Sequence, residues 1–265
     1  SVIDLCEKEN VRVKFYHIDE NFLPADVELC VDEWLYLVNF YGQLDNGQIA
    51  EIKDIYERVI VDNAQAYFAK PLENTDTIYT CRKFFGVADG AFLYTDNKLE
   101  CEFPMDKSCD RMEFLLGRFE GTASDFYSEY TENNRLFKNE PIKEMSKLTD
   151  NLLRGIDYEN VKNKRTENYN YLFDALAGIN KLKLKRAEGA FAYPLWLDNG
   201  AEVRKALQKD KIYIPTLWPN VMQEQWEGYL EYDMAKNILP IPVDQRYDED
   251  DMGYILQLLQ EGKFI

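Results

Sequence analysis

The chain has 265 residues, 46% of them hydrophobic, and its 31 basic against 48 acidic side chains leave a formal charge of -17. That length suffices to bury a sizeable core and to form two domains. The acidic balance disfavours nucleic acid and anionic membranes as partners, because it offers no broad basic surface to release counterions. No stretch approaches the roughly 18 apolar residues of a membrane span, and the opening SVIDLCEKEN lacks the basic front and apolar core of a signal peptide. Cysteines 6, 30, 81, 101 and 109 form neither a disulfide framework nor a CxxC pattern. One histidine, His17, removes most zinc sites and argues against a Ser-His or Cys-His hydrolase. No metal is expected, the reducing cytoplasm is the expected compartment, and chemistry falls to Lys, Asp, Tyr or Cys, or to a cofactor with its own reactivity.

In chain order, VRVKFY (11–16) and WLYLVNF (34–40) read as short strands, with His17 in a structural role at the end of the first. DENFLPADVE between them reads as a loop with a helical turn, interrupted at Pro24. After the loop NFYGQLDNG, IAEIKDIYE places Ile49, Ile52, Ile55 and Tyr56 at helical spacing, and VIVD is a further strand. Strand, helix, strand is the order of a parallel α/β sheet, whose ligands collect beyond the carboxyl ends of its strands. Asp62 stands at such an end. TIYT and AFLYTD are two more strands, separated by CRKFFGVADG.

Residues 111–137 are largely helical in pattern, divided at Gly117 and Gly121, and their Phe119, Phe126, Tyr127, Tyr130 and Phe137 are expected to pack against another element. A polar link, NEPIKEMSKLTD, leads to an amphipathic helix over 159–178 packing through Val161, Tyr169, Leu172, Phe173 and Leu176. Basic clusters at Lys162, Lys164 and Arg165 and from Lys181 to Arg186 have acidic neighbours and read as solvated faces. AFAYPLWL, AEVRKALQ, KIYIP, NILPIPV and EDDMGYILQLLQEG alternate strand and helix character. The pattern predicts an α/β domain with connecting helices over 1–154 and a second, smaller α/β domain over 155–265.

The most informative segment is 62–90, DNAQAYFAKPLENTDTIYTCRKFFGVADG. A carboxylate at a strand end can bind a cationic heteroaromatic nitrogen, and a lysine on a neighbouring loop can form a Schiff base; pyridoxal phosphate makes both demands. The competing readings are a helix cap for Asp62 and an exposed surface lysine for Lys83. Cys81, beside Arg82 and Lys83, has a positive field but no evident base. Asp76 and Asp89 pair only if the fold brings them together. Neither GxGxxG nor GxxxxGK occurs, so dinucleotide and Walker-type sites are unsupported.

NFYGQ, IVDNAQA and YTCRKFFGVADGAFLYT, together with RTENYNYL, IYIPTLWP and LPIPVDQRYDEDDMGYI farther along the chain, resemble the DegT/DnrJ/StrS family of pyridoxal-phosphate-dependent aminotransferases. The resemblance runs from about residue 11 to 265 and is poorest between about 100 and 140. It implies an aspartate-aminotransferase-like fold, fold type I. It makes Lys83 the lysine that carries the cofactor covalently and then moves the proton, Asp62 the partner of the pyridine nitrogen, Gln65 a neighbour of the ring hydroxyl and Thr80 a residue near the phosphate. Asn39 and Tyr41 would line the pocket. It further implies amino transfer from a donor such as glutamate to a nucleotide-linked keto sugar of polysaccharide biosynthesis, and a homodimer. The family has a long portion before the segment matching SVIDLCEKEN, including a helix whose amino terminus binds the cofactor phosphate. Its absence here reads as a fragment or as an amino-terminally truncated large domain. The alternative is therefore a non-catalytic or regulatory homologue that has lost full cofactor binding.

Overall fold

The computed structural model of the chain describes residues 2–122, 124–223 and 226–265. It opens with α1 (Val2–Lys8), then β1 (His17–Ile18) antiparallel to β2 (Pro24–Ala25). Contrary to the expected strand, residues 11–16 are irregular, and Val11, Val13 and Phe15 face solvent. Apolar alternation makes a strand only where a second backbone supplies the ladder. Tyr16 is held instead through its hydroxyl, which donates to the Tyr36 carbonyl at 2.9 Å. The segment after it is closed by β2 rather than by a helical turn.

β3 (Leu35–Val38) leads through a short 3-10 turn into α2 (Asn46–Tyr56), then β4 (Val59–Asp62), β5 (Asp76–Thr80) and β6 (Ala91–Tyr94). These strands form a sheet in the order β3-β4-β5-β6. β3, β4 and β5 are parallel, and β6 returns antiparallel. Period-2 alternation sends Leu35, Leu37, Val59, Val61, Thr77 and Tyr79 to a buried face, leaving Tyr36, Val38, Ile60, Asp62, Ile78 and Thr80 on the opposite, less covered one.

α2 begins with a capping box between Asp45 and Gln48 and covers the buried face with Ile49 and Ile52. Tyr56 joins them at i+7. Ile55 does not: one residue short of that repeat, it turns off the stripe and is 70% exposed.

Next come α3 (Glu113–Leu116), α4 (Tyr127–Asn139) and α5 (Lys147–Arg154). The aromatic residues of this stretch pack less than expected. Phe126 packs against the cluster of Ala88, Met112, Phe114 and Leu115, and Tyr130 meets Phe114 edge-on. Phe119 and Tyr127 remain in solvent.

The carboxyl-terminal portion contains α6 (Tyr158–Leu176), β7 (Ala192–Trp196), α7 (Gly200–Lys209), α8 (Leu230–Asn237), β8 (Ile238–Pro242) and α9 (Glu249–Glu261). β7 and β8 pair antiparallel, and their core joins Tyr169, Leu172 and Leu176 to Tyr193, Leu195, Leu239, Ile241, Met252 and Leu259. KIYIP forms no strand; Ile214 is buried there without a ladder. Lys162, Lys181, Lys185 and Arg186 pair with Glu188, Asp198, Asp45 and Asp174 as a solvated face would. Arg165, expected on the same face, is instead turned inward and buried, its guanidinium bonded to the Gln245 side chain and the Ala190 and Phe84 carbonyls. Among the described residues no helix is long and apolar enough to cross a membrane.

Gly200, where α7 meets the end of α8, has no room for a side chain, since a Cβ would lie 1.9 Å from the Asn237 carbonyl oxygen. Alanine ordinarily favours a helix over glycine by about 1 kcal/mol. Here Gly200→Ala is expected to lower stability by about 1–3 kcal/mol through overpacking, read as a lower urea midpoint with an unchanged slope. An unchanged or higher midpoint would show that the α7–α8 approach relaxes freely.

Candidate active site

Asp62 ends β4, and Lys83 lies three residues beyond β5, so adjacent parallel strands deliver both to the carboxyl edge of the sheet. In register, Asp62 lies between Val38 and Ile78. Its carboxylate accepts from the Ala64 N–H at 2.8 Å and from the Tyr36 hydroxyl at 2.9 Å. Burial, and then the Asp62 charge, push the Tyr36 hydroxyl far above its ordinary range, keeping it a donor. No helix begins after Asp62, which removes the capping reading.

The Lys83 turn is tightly built. Cys81 N–H donates to the Gly90 carbonyl at 3.1 Å, and the N–H groups of Phe84 and Phe85 both donate to the Cys81 carbonyl at 3.0 and 2.9 Å. Cys81, Phe84, Phe85 and Val87 are buried against Leu153 and Val161, while Lys83 reaches outward. Gly90 has φ +107°, and a Cβ there would meet Thr149 at 3.0 Å. Asp89, buried, receives the Ser146 N–H at 2.7 Å, its hydroxyl at 2.9 Å and the Thr149 hydroxyl. That carboxylate anchors the turn to α5. Asp76 lies at the opposite end of β5, so the two aspartates do not form a catalytic pair.

Solvent reaches Lys83, yet the surrounding protein withholds enough water to lower its pKa; Asp62 opposes that shift and Arg82 adds to it. Its Nζ lies 5.6 Å from the centre of the Phe191 ring. Among the described residues no carboxylate forms an ion pair with it. Burial, with a smaller contribution from Asp89, pushes the Cys81 thiol up to about 12, leaving it protonated and a poor nucleophile.

Thr80 ends β5 on the same face as Asp62, opposite Ala91. Gln65 is buried in the turn leaving Asp62, where its side-chain oxygen accepts from the Tyr41 N–H at 2.9 Å and supports that residue at φ +56°. Asn39 is also buried, bonded to Leu44 and Asn63. Tyr41 packs with Phe22 and Trp218, so both residues shape the loop rather than open onto solvent. Sequence reasoning missed Tyr36 and Phe191. Tyr36 was readable as a face-mate two residues before Val38; Phe191 carried no local signal.

An amine without an ion-pair partner and a half-buried carboxylate at one sheet edge fit pyridoxal phosphate at its aldehyde and ring-nitrogen ends. The amino terminus of α2 is closed by the Asp45 carboxylate, itself paired with Lys185, and offers no phosphate cradle.

No protein-family model matches the sequence, and no curated protein matches it. Solved structures do match. The aminotransferase from Psychrobacter cryohalolentis aligns over 100% of this chain and 78% of its own, with TM-score 0.59 and 13% identity. The E. coli GDP-4-keto-6-deoxy-D-mannose-3-dehydratase with bound hydrated PLP aligns over 96% and 75%, with TM-score 0.59 and 15% identity. S. venezuelae DesV, solved with a ketimine intermediate, aligns over 86% and 64%, with TM-score 0.54 and 14% identity. The chain thus spans 64% of DesV and 63% of a DegT DnrJ EryC1 StrS aminotransferase from Brucella abortus. The chain has the α/β architecture of the fold type I aminotransferases, in its DegT/DnrJ/StrS-like form.

The electrostatics of Lys83 are directly measurable. Competitive acylation across pH should place its midpoint below the ordinary lysine value of about 10.4. Asp62→Asn should lower it further, because the raising charge is removed, and Arg82→Gln should raise it. Midpoints that do not move in these opposite directions would separate Lys83 from both groups.

Proposed function

We propose that the protein is a pyridoxal-phosphate-dependent aminotransferase that moves an amino group from an amino acid such as glutamate to a nucleotide-linked keto sugar. The observation that carries this reading is the delivery of Asp62 and Lys83 to one sheet edge by adjacent parallel strands. When bound, the cofactor supplies an electron sink for the carbanion formed on proton loss. Asp62 would hold a proton on the ring nitrogen, its charge steadied by Tyr36 and the Ala64 N–H. Lys83, its pKa lowered by burial, would hold the aldehyde carbon covalently and then carry the proton at its Nζ. Thr80 would take the phosphate, and Gln65 would border the ring hydroxyl. Dehydratases of the resembled family replace the lysine, so Lys83 favours transamination.

A non-catalytic homologue is favoured by one observation: the side-chain oxygen of Gln65 and the amino terminus of α2 are both already engaged within the chain. Borohydride reduction separates the readings. With pyridoxal phosphate, the protein should gain a reduced adduct located at Lys83 by mass spectrometry. Lys83→Ala should fold and lose it. Asp62→Asn should retain the adduct while the half-reaction with glutamate slows by about 100-fold or more. A folded protein without an adduct would favour the non-catalytic reading.

Homodimerisation belongs to the same proposal. Edge strand β6 leaves Phe92, Leu93 and Tyr94 exposed, an apolar row that a second copy would cover. Light scattering in the presence of cofactor should give the dimer mass, and a monomer mass independent of concentration would reject it.

A further inference from the structure

Arg165, on α6, is 1% exposed, an extreme position for a guanidinium. Its hydrogen-bond partners are all neutral: Nε donates to the Gln245 side-chain oxygen at 2.8 Å, Nη1 to the Ala190 carbonyl at 2.9 Å and Nη2 to the Phe84 carbonyl at 3.3 Å. Among the described residues no carboxylate pairs with it, and Asp244, whose charge acts on it, is paired with Arg246. Burying a charge in this way costs several kcal/mol, and an apolar side chain would fill the same space without that cost. Packing therefore does not account for it.

The pattern of donors does. Once the Gln245 oxygen accepts from Arg165, its amide nitrogen must face the other way, and it donates to the Phe84 carbonyl at 2.8 Å. That carbonyl thus receives two donors, and Phe84 directly succeeds Lys83 in the chain. The third anchor, Ala190, directly precedes Phe191, whose ring lies beneath the Lys83 amine. The guanidinium also lies 4.6 Å from the centre of the Phe84 ring. One turn further along α6, Asn168 donates to the carbonyls of Val243, Asp244 and Tyr247, steadying the loop that carries Gln245.

We propose that Arg165, through Gln245, is a positioning residue for Lys83, locking the turn that bears the lysine and the ring beneath it into one unit that presents the amine toward Asp62. This rests on the reading of Lys83 as the amine that carries the cofactor. A fork of planar donors is required, since a lysine at 165 would keep the charge and lose the simultaneous grip on three oxygens.

The test uses the full chain with Arg165→Met, Arg165→Lys and Gln245→Leu, each first checked by thermal unfolding. Two quantities are then measured: the pH midpoint of Lys83 acylation without cofactor, and the fraction of Lys83 fixed by borohydride at sub-saturating pyridoxal phosphate. In Arg165→Met and Gln245→Leu the midpoint should rise toward that of an ordinary lysine as the amine escapes to water, and the fixed fraction should fall about tenfold or more. Arg165→Lys should lie between them and the wild type. Folded variants with an unchanged midpoint and an unchanged fixed fraction would overturn the inference, and if Arg165→Met does not fold, the same result in Gln245→Leu overturns it. A wild-type chain without an adduct whose variants still shift the midpoint would sink the cofactor reading and leave the positioning role standing.

Discussion

Parallel pairing of β3, β4 and β5 is the constraint on which the site depends. With Val38, Asp62 and Ile78 in register, the three strands end together, and the turns leaving them emerge at one edge. A one-residue slip of β4 would turn Asp62 toward the buried face, where α2 packs, swing Val59 and Val61 off that face, and part Asp62 from its hydroxyl partner Tyr36. The register is enforced by burial. Leu35, Leu37, Val59 and Val61 all face Ile49 and Ile52, and a one-residue shift would carry the β4 pair off that face.

Around that edge, polar groups are spent on backbone placement. Asp89 is consumed in tying the Lys83 turn to Ser146 and Thr149, Gln65 in supporting Tyr41 at positive φ, and Asn39 in closing the loop at Leu44. Each is a buried group whose hydrogen bonds offset its desolvation. Lys83 is the contrast, a cation without an ion pair among the described residues, in surroundings that disfavour its charge. Such an imbalance is what the proposed covalent role of Lys83 would use.

The net charge of -17 is a poor guide to this edge. Lys162, Lys181, Lys185 and Arg186 are taken up in surface pairs with Glu188, Asp198, Asp45 and Asp174, each of which contributes little to stability. Arg82, Lys83 and Arg165 instead lie within or against one turn, which also holds the buried Asp89 carboxylate. Arg82 stacks on Phe137 at 4.3 Å and donates to Asn134, which joins α4 to the same turn.

By itself the sequence determined the strand, helix, strand order around residues 34–62, the position of Asp62 at a strand end, the α6 packing stripe and the resemblance that singled out Lys83. These are legible because alternation, helical period and turn chemistry are local properties of the chain. Tertiary structure decided the rest. Among the described residues VRVKFY has the alternation of a strand and no ladder partner, KIYIP likewise, and Phe119 has the bulk of a core residue yet stands in solvent. The Phe84 carbonyl is held from residues 81 and 161 positions away. Nothing in the local pattern at 84, 165 or 245 encodes that meeting, because it exists only once α6 and the loop after β8 are packed against the turn beyond β5.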